Sequence, residues 1–129
     1  MIVRAFTYED AVTPGSALVV GSAGVALPAA AGGTGFAGIY SAEGNVEKTR
    51  PDTDDTIGIT VHGLCKVRAK GAVTAFAFGQ IADATGAMEA LANPPDAPIK
   101  VPGFFLESGA DGEIVEFFVE PSFIPATVA

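Results

Sequence analysis

Short apolar runs separated by turn residues fill the chain, and most follow the two-residue period of a strand, not the 3.6-residue period of a helix. "IVRAFTY" (2–8) reads as a short strand, followed by a turn at "TPGS" (13–16) and a compact strand "ALVVG" (17–21). "AGVALPAAAGGTG" (23–35) reads as a short strand running into a Gly/Ala loop, and "FAGIYSAEG" (36–44) as a strand ending at Gly44. "NVEKTRPDTDDT" (45–56) is charged and contains a proline, the pattern of an exposed loop. "IGITVHGLCKVRAKG" (57–71) places β-branched residues at alternate positions, a strand signal shared by "AVTAFAFGQI" (72–81). "DATGAM" (83–88) contains a turn, and the one helix-like piece lies at 82–93, interrupted by Gly86 and stopped by "PPDAP" (94–98).

"IKVPGFFLESG" (99–109) and "GEIVEFFVEP" (112–121) read as two strands, and the Asp-Gly pair between them favours a tight hairpin. In the second, Val115, Phe117 and Val119 share one face. The other face mixes Ile114 and Phe118 with Glu116 and Glu120, which suits either a neighbouring subunit or a second core layer. Eight to ten short strands with frequent glycine turns predict an all-β single domain, a small barrel or sandwich with at most one short helix. The core spans 14–121, residues 1–13 form an extended N-terminal arm, and 122–129 a tail that Pro125 keeps from a central strand.

Composition narrows the function. The 129 residues hold 16 Gly and 9 Pro, which break helices, and a net charge of −8 argues against a nucleic-acid partner. The bases cluster: Lys66, Arg68 and Lys70 alternate in one strand, and Lys48 and Arg50 share a loop. A basic stripe on an acidic body fits either a charge-complementary protein or a solvated strand face. The start lacks the order of a signal peptide, and the longest apolar runs are broken by proline and too short for a bilayer, so a soluble protein made in a cytoplasm is expected.

Candidate chemistry is sparse. "VHGLCKV" (61–67) holds the one histidine, His62, and the one cysteine, Cys65. Strand alternation sends them to opposite faces, Cys65 toward the core with Val61 and Val67 and His62 outward with Leu64, Lys66 and Arg68. Two such residues also fall short of the ligands zinc requires. Asp52, Asp54 and Asp55 lack the glycine and distal glutamate of a calcium loop. "GGTGFAG" (32–38) departs from the dinucleotide-binding pattern, no G-x-S-x-G elbow occurs, and Glu113 and Glu116 read as surface strand acids. No catalytic, metal or cofactor site is expected.

The segments "GLCKVRAKGAVTAFAFGQIADATGAM" and "IKVPGFFLESGADGEIVEFFVEP" carry a resemblance. Gly63 through Val73, Asp83 through Gly86, Val101 through Ser108 and Glu113 through Glu120 follow a strand pair, a "D-A-T-G" turn and two closing strands. In these the chain resembles the small capsid decoration (head cement) proteins of tailed bacteriophages over roughly residues 14–121. It departs from the pattern at "TAFAFGQI" (74–81).

The resemblance implies a β-tulip-like module without an active site, often a homotrimer. Such a module binds the exterior of the virion capsid and bridges subunits of the major capsid protein. The contact residues expected are Ile2, Val3, Phe6 and Tyr8 of the arm, together with His62, Lys66, Arg68, Ile114 and Phe118. The arm is either a segment that orders on binding or an ordinary first strand. Two rivals stand beside this reading. One is a soluble β-barrel module for a carbohydrate or small ligand, against which the lack of Trp counts. The other is an enzyme, which needs His62 and Cys65 on one face.

Overall fold

The computed structural model describes residues 1–28, 35–49, 52–91 and 99–124. The Gly/Ala loop at 29–34, the proline-rich stretch 94–98 and the last tail residues, 125–129, lie outside them. Nine strands and no helix are found among the described residues: β1 (Ile2–Tyr8), β2 (Ser16–Val20), β3 (Val25–Ala26), β4 (Phe36–Tyr40), β5 (Asp52–Arg68), β6 (Phe78–Ile81), β7 (Met88–Ala90), β8 (Ile99–Phe105) and β9 (Ile114–Ile124).

Five of them close a barrel in the order β1-β3-β2-β4-β5, sealed by antiparallel pairing of β1 with β5. A second sheet, β5-β9-β8-β6-β7, is antiparallel throughout. The 17-residue β5 belongs to both. Its residues from Asp52 to His62 pair with β1, and those from Gly63 to Arg68 pair with β9. Gly63 marks the handover: its φ is +107°, and a Cβ there would lie 2.8 Å from the Cα of Met1. Only glycine meets both demands at low cost.

Each layer has its own core. Tyr8, Val12, Leu18, Val25, Tyr40, Ile57 and Ile59 fill the barrel. Between barrel and second sheet lie Ala17 and Ile39 from the barrel wall, packed with Cys65, Val67, Ile81, Met88, Phe105, Val115, Phe117 and Val119. The chain neighbours Ala17 and Leu18 of β2, and Ile39 and Tyr40 of β4, are therefore buried on opposite faces, which is why "AL" and "IY" read as continuous apolar pairs rather than alternating ones.

Several expectations change. Residues 2–8 are not a free arm: Ile2 opposes His62 and Tyr8 opposes Asp52, so β1 is a strand of the barrel wall. The charged segment 45–56 is only partly loop, because β5 begins at Asp52; pairing with β1 overrides its polar composition. The helix-like piece yields a turn and then β7, since Gly86 adopts φ +82° and Met88–Ala90 pair with Gly79–Ile81. The tail starts later than expected, as Ser122, Phe123 and Ile124 continue β9 along β8. Pro121 is accommodated because β9 pairs with β5 only as far as Val119, opposite Gly63, and beyond that point is an edge strand.

Candidate interaction surface

The sheet alternation separates the two reactive side chains of "VHGLCKV". Cys65 is buried among Val67, Phe105 and Phe117, and its thiol lies 3.5 Å from the Phe117 carbonyl oxygen. Burial pushes the thiol pKa up to about 12, far from the thiolate a nucleophile needs. His62 is exposed on the opposite face, its ring edge-on to Phe118 at 5.6 Å. No group of three or more His, Cys, Asp or Glu positioned to hold a metal ion occurs among the described residues. Asp55, from the acidic run, is engaged by Lys48 at 3.3 Å, and its carboxyl pKa is lowered by the Thr56 N–H and then by Lys48.

The outer face of the second sheet presents an unusual surface. Pairing places Leu64 opposite Phe118, Phe118 opposite Phe104, and Phe104 opposite Phe78, one apolar row across four strands. The Phe104 and Phe118 rings stack at 5.5 Å. Leu64 and Phe78, at the two ends, remain 44% and 43% exposed. Beneath the row the inner face is tightly filled: Gly79 opposes Gly103, and a Cβ at Gly79 would lie 2.6 Å from the Phe117 ring. The glycine pair leaves room for Phe117 and Phe105, which meet edge-to-face at 5.2 Å.

Two residues before Phe78, in the turn that leads into β6, stands Phe76, 75% exposed, with φ +70°. It occupies the third position of the turn Thr74–Ala77, closed by the Ala77 N–H donating to the Thr74 carbonyl at 3.1 Å. That position favours Gly or Asn, and a bulky residue there carries about 1–3 kcal/mol of strain. The conformation is held in place: the Phe76 N–H donates to the Phe105 carbonyl at 2.7 Å, and the Ala75 N–H to Ser108 Oγ at 3.0 Å.

Of the residues expected at a contact, Ile2, His62 and Phe118 come together, Ile2 being the register partner of His62 and His62 touching Phe118. Lys66 lies next along β5 but opposite Glu116, so the basic stripe is partly balanced by acid. Arg68 opposes Ile114 at the far end and lines a cavity of about 430 Å³ with Thr13 and Thr85. Val3 and Phe6 are exposed along β1. Tyr8 is not available for contact, being 4% exposed inside the barrel, because β1 turns inward where it meets Val25 of β3. Leu64, Phe76, Phe78 and Phe104 were absent from the sequence-based set. The signal for two of them was present in "TAFAFGQI", whose alternate phenylalanines fall where the chain departs from the decoration-protein pattern.

No family model matches the chain, and no curated protein matches it in sequence. Among solved structures it is similar to the N base of the head fiber protein gp8.5 of bacteriophage phi29, with a TM-score of 0.59 and 12% identity. The match covers 92% of this chain and 93% of that one, so the two share a fold over nearly their whole lengths.

Proposed function

We propose that the chain is a structural protein of a phage virion. It seats on the outer surface of the capsid, bridges neighbouring subunits of the major capsid protein and stabilises the shell. The observation that carries this reading is the fold shared with a phage head fiber base over 92% of the chain. The sequence resemblance to capsid decoration proteins, which rests on different evidence, points the same way. The edge of β1 supports a bridging role. Among the described residues β1 pairs with β3 at Tyr8 alone, so residues 2–6 offer an edge that an extended segment of a shell subunit can join. We further propose a homotrimer, an arrangement that gives one module three equivalent attachments to a shell.

The test is to mix the purified protein with expanded shells of the phage that encodes it. Saturable binding at a fixed ratio to the major capsid protein, with a raised shell melting temperature, is the expected result. Shells that sediment without it at micromolar concentration would sink the reading.

A further inference from the structure

We infer that the aromatic row on the second sheet, headed by Phe76, is the surface by which the chain seats on a protein other than itself. The partner offers an apolar socket rimmed by lysine or arginine. The inference deepens the proposed shell binding and rests on it.

Three observations carry it. Phe76 adopts a backbone conformation suited to glycine while leaving 75% of its surface in water. Both features work against the free molecule, and neither serves the fold. The turn is nevertheless fixed by the bonds to Thr74, Phe105 and Ser108, so the ring is presented ready for insertion, with little ordering left for binding. Phe78 follows Phe76 by two residues, and Phe104, Phe118 and Leu64 extend an apolar row from Phe78 across the sheet, as the core of an interface extends from an aromatic anchor.

Charge identifies the occupant. Glu116 and Glu120 lie two residues either side of Phe118, Glu107 accepts the Glu116 N–H, and Glu89 faces Gln80 two residues beyond Phe78. Lys66 opposes Glu116, and Lys100 stands farther along β8. With Arg68 opposite Ile114 counted beside Lys66 and Lys100, four glutamates against three bases leave the rim net acidic, on a chain of net charge −8. A second copy would bring the same rim and the same net charge, whereas a basic-rimmed socket complements both.

The experiment compares wild type with Phe76→Gly, and with Phe78→Ser as a second variant, on shells of the encoding phage. Phe76→Gly removes the anchor and relieves the backbone, so its melting temperature is expected to stay level or rise. Its affinity for shells should fall about 30-fold or more, as for an interface anchor. Its oligomeric state by light scattering should match wild type. Shell binding equal to wild type in both variants overturns the assignment while leaving the shell reading intact. A wild-type oligomer that Phe76→Gly breaks apart makes a second copy the occupant and also overturns it. Failure of wild type to bind shells removes the shell reading and this assignment together.

Discussion

Two phenylalanine pairs sit on the same two strands, back to back. Phe105 and Phe117 meet on the inner face of the second sheet with no exposed surface, and Phe104 and Phe118 stack on the outer face, partly exposed. Chain neighbours thus carry the same side chain to opposite destinations, because "FF" in a strand always serves both faces. The inner pair is explained by the core it fills, above a glycine pair that clears space for it. The outer pair has no such account within one chain. The contrast separates what the fold requires from what it only displays.

The largest way to test that contrast is Phe117→Ala, which opens a cavity in a core with no slack. A loss of about 3–5 kcal/mol is expected from urea unfolding. Phe118→Ala on the outer face should cost under about 1.5 kcal/mol by the same measurement, and equal losses at the two sites would erase the distinction. Next in size is Phe76→Gly, expected to be neutral or to stabilise by about 1 kcal/mol in thermal unfolding, since it removes left-handed strain but frees the unfolded chain. Cys65 reports on the inner face alone. Its thiol should resist a disulfide reagent at pH 8 in wild type and in Phe118→Ala, and react faster in Phe117→Ala as local opening increases.

The smallest effect lies outside both faces, at the turn before β7. A hydrogen bond from Lys70 at 2.7 Å, and then one from Thr85, hold the Asp83 carboxyl down at about 2. A carboxyl depressed on folding contributes stability that is present above its unfolded pKa, near 3.8, and lost as pH falls toward 2. Lys70→Ala should raise the Asp83 pKa in an NMR titration and flatten the acid limb slightly, leaving both phenylalanine pairs unmoved.

The all-β class, most strand positions and the opposite facing of His62 and Cys65 were legible because side-chain alternation is a local signal. The β1–β5 closure was not. It joins residues some fifty positions apart, and no local pattern marks which polar segment extends a strand, as Asp52–Thr56 does. The candidate surface was half legible for a related reason. Phe118 stood out by its acidic neighbours on β9, but the row with Leu64, Phe104 and Phe78 exists only through cross-strand register. Phe76 was hidden by its own regularity, since "AFAF" reads as strand and the turn that strains it is set by the Phe105 and Ser108 contacts.

The strand shared by both sheets has a consequence for synthesis. All five barrel strands precede residue 69, and four of the five strands of the second sheet follow it. A growing chain can close the barrel once β5 has emerged, while Ala17 and Ile39 on its outer wall and the upper edge of β5 still await their cover. Folding then proceeds as a templated addition, with β9 laid on a strand already in place and β8, β6 and β7 following outward from it. The interval between barrel closure and arrival of β9 is the period of greatest risk for sticking to other chains. Slowing translation after residue 68 should therefore lower soluble yield more than slowing it anywhere inside the barrel.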